Sequence, residues 1–245
     1  MFLTRMALND VRRGTKKLLA SPQAMHAAVL AGFADPRPTT EGRVLWRLDT
    51  TAGRRPVMYV VSPHKPDFTH LVEQAGWPTT ETWQTRPYDA LLERLEVGQR
   101  WQFRLTANPV HSVLDEGRKR GKPMAHVTVK QQEQWLIDRT ERLGFRLVPS
   151  TASGSPEPDL AVLDRSVRRF SRQHSSVTIA MTTFQGHLEV AEPYRLREAM
   201  THGIGRAKAY GCGLLTIGAA NAANAVAVGC EAARDESSVS RVVAE

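Results

Sequence analysis

The chain has 245 residues, 41% of them hydrophobic, enough to bury one large core or two small ones. No stretch reaches the ~18–20 uninterrupted apolar residues of a membrane span, and the opening MFLTRMALND places Arg5 and Asn9 where a signal peptide is apolar. The sequence therefore predicts a soluble, cytoplasmic protein with no membrane partner. Cys212 and Cys230 form no CxxC pair and have no nearby histidine, which argues against a disulfide framework and a zinc site, so no metal or cofactor is expected. With 33 Lys+Arg against 25 Asp+Glu, the net charge is +8. That excess favours a polyanionic partner, because each neutralised phosphate releases counterions.

In chain order, residues 2–8 read as a strand, and residues 43–48 and 57–61 as two more. Between the first two, Ser21-Pro22 supplies an N-cap followed by proline at the first helical position. Met25, Val29 and Phe33 then recur every four residues, which predicts a helix. A second helix is expected over residues 67–75. Strand, helix, strand, strand, helix is the order of a ferredoxin-like module, the topology of RNA-recognition domains.

The pattern recurs after Gln99. Residues 101–105 alternate as a strand, a long helix is expected over 130–143, and strands over 145–148, 160–163, 177–184 and 188–190. A short helix near 194–200 and a strand at 214–217 complete the set, with residues 151–158 a Ser/Gly/Pro loop. The predicted fold class is α+β, with tandem ferredoxin-like (RRM-like) modules. Residues 1–92 form the N-terminal module, 93–218 the C-terminal module with a glycine-rich loop, and 219–245 a disordered tail, the joint lying around 88–98.

The glycine-rich run His202-Gly203-Ile204-Gly205-Arg206-Ala207-Lys208-Ala209-Tyr210-Gly211-Cys212-Gly213-Leu214-Leu215 is the most specific motif. Gly203 and Gly205 let backbone N–H groups approach phosphate oxygens, and Arg206 and Lys208 add charge there. The competing explanation is a turn that needs positive φ. A dinucleotide fingerprint is excluded, because Lys208 takes the sixth position of the G-x-G-x-x-G and the run precedes a strand. Residues 117–123 lack the spacing of a phosphate loop, and neither G-x-S-x-G nor H-E-x-x-H occurs.

Three basic clusters stand out: Arg12, Arg13, Lys16 and Lys17; Arg118, Lys119, Arg120 and Lys122; and Arg165, Arg168, Arg169 and Arg172. The last follows i, i+3, i+4, i+7 and fits one helical face. Clusters of this kind are ordinarily solvated charge. His26, at the edge of the first helix, is on its own more simply a packed or solvated side chain.

The block ending in Gly211-Cys212-Gly213-Leu214-Leu215 closely resembles the C-terminal signature of the CasE family, the CRISPR-repeat endoribonucleases of type I-E Cascade complexes. Phe2-Leu3-Thr4-Arg5 resembles the family's opening strand, Met25-His26 its first helix, and Val44-Leu45-Trp46-Arg47-Leu48 its second strand. Phe103-Arg104-Leu105-Thr106-Ala107-Asn108-Pro109 and Phe184-Gln185-Gly186-His187-Leu188-Glu189-Val190 match further blocks, so the resemblance spans residues 1 to about 218.

The resemblance implies the tandem ferredoxin-like fold and a catalytic His26. It also implies cleavage by 2′-hydroxyl attack on the adjacent phosphate, which leaves a 2′,3′-cyclic phosphate without a metal. The expected partners are the CRISPR RNA repeat hairpin, retained after cutting, and the other type I-E Cascade subunits. Lys208 and Arg206 are candidates for stabilising charge on the phosphorane. One position departs from the family: a tyrosine three residues before the histidine is Gln23 here, which donates hydrogen bonds but exchanges no proton at neutral pH. Either His26 works with a different partner, a place that Tyr210, His174 and Ser175 could each take, or cutting is slower than in relatives that carry the tyrosine. With an RNA hairpin as ligand, the basic clusters, Gly203 and Gly205 are expected near phosphates, since A-form RNA is read through backbone and shape. The family also places a strand and hairpin loop, not a helix, at residues 165–172. A non-catalytic hairpin-binding subunit and a general RRM-like RNA binder are the alternatives.

Overall fold

The computed structural model describes residues 1–50, 54–77, 82–113, 122–150, 157–172 and 175–219. The first sheet is built from β1 (Phe2–Ala7), β2 (Leu45–Asp49), β3 (Val57–Ser62) and β4 (Gln84–Pro87) in the order β2-β3-β1-β4, every pairing antiparallel. Helices α1 (Arg13–Ala20) and α2 (Pro22–Leu30) link β1 to β2, and α3 (Thr69–Ala75) links β3 to β4. This is the ferredoxin-like arrangement. The sequence anticipates one helix where two occur: Ser21 ends α1 and its side chain then accepts from Ala24 N at 3.2 Å to cap α2. Strand β4 was not expected, because Gln-Thr-Arg-Pro is a polar edge with one neighbour, β1.

After the short helix α4 (Asp89–Glu93), the topology repeats. β5 (Arg100–Ala107), β8 (Phe145–Leu147), β10 (Ser175–Val190) and β11 (Leu215–Ala219) form the sheet β11-β5-β10-β8, with α5 (Val129–Ile137) and α6 (Pro193–His202) as its helices. Two antiparallel insertions depart from the basic module. A small hairpin of β6 (Val110–Val113) and β7 (Lys122–Ala125) precedes α5, and β9 (Leu160–Arg172) pairs along most of β10. Residues 177–184 and 188–190, expected as separate strands, are one strand whose pairing with β9 shifts register between Thr183 and Phe184. The arginine-rich stretch 165–172 is strand, not helix, as the family resemblance implied: its period of four is overridden by pairing to β10. The helix expected over 130–143 stops at Ile137. Ala219, assigned to the tail from sequence, ends β11, and residues 220–245 lie outside the described residues.

The two sheets share a core. In β3 every residue is buried because both faces are covered. Met58 and Val60 pack with Met25, Val29, Phe68 and Leu71 under the helices, whereas Val57, Tyr59 and Val61 pack with Phe103, Leu105 and Leu215 of the second sheet. Strand β2 splits in the same way: Trp46 joins the helix-side core and Leu45 the inter-sheet core. Arg47 points with Leu45 and reaches across the interface. Its Nη1 donates to the carbonyls of Arg104 at 2.8 Å and Leu214 at 3.2 Å, while its Nε meets Asp49 at 2.7 Å.

Candidate RNA-cleavage cleft

Gln23 and His26 lie three residues apart on α2 and so share a face of the helix. That face meets the glycine-rich loop. The loop begins where Gly203 ends α6 at φ 78°, and it is tied down by Ile204 N donating to Gly213 O at 2.9 Å and Gly213 N to Thr106 O at 2.7 Å. Gly211 has φ 83°, and a Cβ there would lie 2.8 Å from the Trp46 ring, so only glycine permits this close packing. The glycines therefore meet the demand for positive φ and close packing, and the loop they shape presents Gly205, Arg206 and Lys208 to a cleft.

The cleft has a volume of about 560 Å³ and is lined by Gln23, His26, Arg43 and the loop from Gly205 to Tyr210. Tyr210 is buried and contacts two rings, with the His26 centroid 6.5 Å away at 61° and that of Phe170 of β9 4.8 Å away at 59°. Lys208 Nζ donates to Gly205 O at 2.8 Å. Partial burial, and then repulsion from Arg43, holds its pKa below that of an ordinary lysine. Arg43 is fixed through its backbone N–H to Thr201 O at 3.1 Å, and its buried Nε has no hydrogen-bond partner among the described residues. The result is a pocket with an imidazole, an amide and three cationic side chains, suited to holding a phosphate and moving a proton beside it.

Of the residues singled out from sequence, His26, Gln23, Gly205, Arg206, Lys208 and Tyr210 come together here, while Gly203 caps α6 just outside. Arg12 is committed elsewhere. Its Nη1 donates to the carbonyls of Val72, Glu73 and Gly76 at 3.0, 2.7 and 3.4 Å, closing the end of α3. Arg13, Lys16 and Lys17 are exposed on α1, Lys122 is exposed on β7, and Arg168 and Arg169 point to opposite faces of β9. Arg165 donates to the carbonyl of Val127. Arg118, Lys119, Arg120 and His174, with the side chains of Arg172 and Ser175, lie outside the described residues. Sequence reasoning missed Arg43, because a residue leading into an apolar strand gives no sign that its side chain turns into a cleft.

Fold and cleft together define a tandem ferredoxin-like protein with a basic, histidine-bearing pocket where α2 meets the second module. Residues 1–218 match the family described as CRISPR associated protein. The CRISPR-associated endoribonuclease Cse3 of Thermus thermophilus is 30% identical over 224 residues, covering 89% of this chain and 99% of that protein. The CRISPR system Cascade subunit CasE of Escherichia coli K12 is 27% identical over 178 residues, covering 71% and 87%. A solved structure of Thermus thermophilus Cse3 bound to an RNA representing a pre-cleavage complex aligns with a TM-score of 0.74 at 29% identity, covering 89% of this chain and 98% of that one. The chain belongs to this CRISPR-associated family, in its Cse3/CasE branch. Among the described residues, no helix is long and apolar enough to cross a membrane.

Proposed function

We propose that this chain is a metal-independent endoribonuclease that cuts CRISPR precursor RNA at its repeat hairpin, keeps the hairpin, and serves in the cytoplasm as a subunit of a type I-E Cascade complex. In this reading residues 1–92 and 93–218 are the two modules, and the RNA lies across their junction. The observation that carries the proposal is the juxtaposition of His26 with Arg43, Arg206 and Lys208 in one cleft, in a chain whose relatives are Cse3 and CasE.

The substrate supplies its own nucleophile. The 2′-oxygen bonds to the adjacent phosphorus, the 5′-oxygen leaves, and a proton passes from the first oxygen to the second through solvent and protein. His26 exchanges that proton with one of the two oxygens, since an imidazole nitrogen can both accept and donate a proton. Arg43, Lys208 and Arg206 offset the negative charge that grows on the phosphorane. Gln23 donates a hydrogen bond to a phosphate oxygen, and Tyr210 supports the edge of the imidazole. The exposed Arg13, Lys16, Lys17 and Lys122 face the phosphates of the hairpin, and Arg168 and Arg169 reach them from the two faces of β9.

The test is incubation with the repeat RNA in EDTA. Cleavage to a 2′,3′-cyclic phosphate end is expected, and it should disappear with His26→Ala and with a 2′-deoxy nucleotide at the cut. A requirement for magnesium would remove the mechanism. Gln23 favours a second reading, a hairpin-binding subunit that does not cut, because it replaces a proton-exchanging group with one that exchanges none. Tight repeat binding without any product would select that reading.

A further inference from the structure

A second cavity, of about 600 Å³, opens beside the cleft between the β6–β7 hairpin and α5. Arg206 lines both spaces and is itself exposed. Gly205, on the cleft side, rests against Trp135, on the far side: a Cβ there would lie 3.2 Å from the indole. The two spaces are therefore the two sides of one turn of the glycine-rich loop. We propose that this second cavity seats one unpaired nucleotide of the RNA adjoining the cut bond. The inference rests on the function proposed above.

The chemistry of the walls fits a nucleotide. Arg139 lies 4.4 Å over the Trp135 ring and is held there by its Nη1 donating to Trp135 O at 2.6 Å, so its guanidinium is a fixed plane. His111 and His126 stand 4.7 Å apart at 42°. Unpaired bases stack on imidazole and guanidinium planes of this kind and are read along their polar edges. His126 Nδ1 is buried with no hydrogen-bond partner among the described residues, which leaves an unsatisfied polar group in the cavity wall. The charge also fits. Asp138 is the one acidic group among the described lining residues, and it accepts from Gln134 at 2.7 Å, whereas Arg139 and Arg206 leave the cavity cationic. A strand whose phosphate lies beside His26 has to leave the cleft, and Arg206 marks the exit that leads to stacking planes and further positive charge.

The test uses the full chain and a repeat RNA made uncleavable by a 2′-deoxy nucleotide at the cut, with abasic nucleotides placed singly on either side. One unpaired position next to the cut should lose affinity on the order of ten-fold when its base is removed. In His111→Ala the intact RNA should bind about as weakly as that abasic RNA binds the native protein, and removing the base should then cost nothing more. Arg139→Lys, which keeps the charge but not the plane, should give the same loss of coupling. The inference is overturned if both variants bind the intact RNA as tightly as the native chain, or if the protein and RNA losses multiply at every position. Native protein that neither binds nor cuts the repeat would instead overturn the function on which it rests.

Discussion

Lys208 is the cleft residue whose titration is most open to experiment. Burial and repulsion from Arg43 depress its pKa, so it loses its charge at lower pH than an ordinary lysine. If that charge stabilises the phosphorane, the single-turnover cleavage rate falls on the alkaline side as Lys208 deprotonates. Arg43→Gln removes the repulsion, raises the Lys208 pKa and moves the alkaline limb to higher pH, while the plateau drops by about 10²-fold for the lost donor. A limb that stays in place would separate Arg43 from Lys208. Gln23 offers an experiment of opposite sign. Gln23→Tyr installs a proton-exchanging group three residues from His26 on the same helical face, and the rate is expected to rise about ten-fold or more at neutral pH. An unchanged rate would mean that His26 already has its partner elsewhere.

At the level of elements, residues of like charge divide by what their backbone presents. Arg12 closes the end of α3 through three carbonyls, so Arg12→Ala should cost about 1.5–3 kcal/mol in urea denaturation. Lys16, exposed on α1, should behave in reverse: Lys16→Ala leaves stability within about 0.5 kcal/mol and lowers the salt dependence of RNA binding by about one counterion. A loss of stability in Lys16→Ala, or of salt dependence alone in Arg12→Ala, would exchange these roles. The sequence does not separate the two, because both are basic residues in one run and the carbonyls that occupy Arg12 come from a helix about 60 positions away. The same difficulty hid β4, whose polar residues make a strand only because β1 needs a neighbour. What was legible was local or periodic: the Ser21-Pro22 start of α2, the alternation in β5, and the glycine-rich loop whose Gly211 sits on Trp46. His26 became legible only through resemblance, since one imidazole on a helix edge carries no local signal. Arg43 and Arg47 were not legible as site and interface groups, because each is defined by what the second module brings to it.

Across the whole molecule, the cleft exists only while the modules hold their relative position, since α2 and Arg43 come from one and the glycine-rich loop from the other. Arg47 is the polar bolt between them, 2% exposed, with Asp49 as its counter-ion and carbonyls of the second module as acceptors. Burial raises the Asp49 pKa, but Arg47 and Arg104 outweigh it, and the net shift is downward. A carboxyl with a depressed folded pKa contributes stability that is complete above its unfolded value of about 4 and is lost as pH falls through the folded value. Arg47→Ala leaves Asp49 buried with only Arg104 at 3.2 Å, at an expected cost of about 3–5 kcal/mol at neutral pH. In that variant the carboxyl takes up a proton more readily, so acid relieves part of the damage. The stability gap between native protein and Arg47→Ala should therefore narrow from pH 7 to pH 3 in denaturant titrations, and a gap of equal size at both would show that Arg47 acts through packing alone. RNA binding at neutral pH should weaken in the same variant although Arg47 does not line the cleft, because the cleft's two halves are then held less firmly in register.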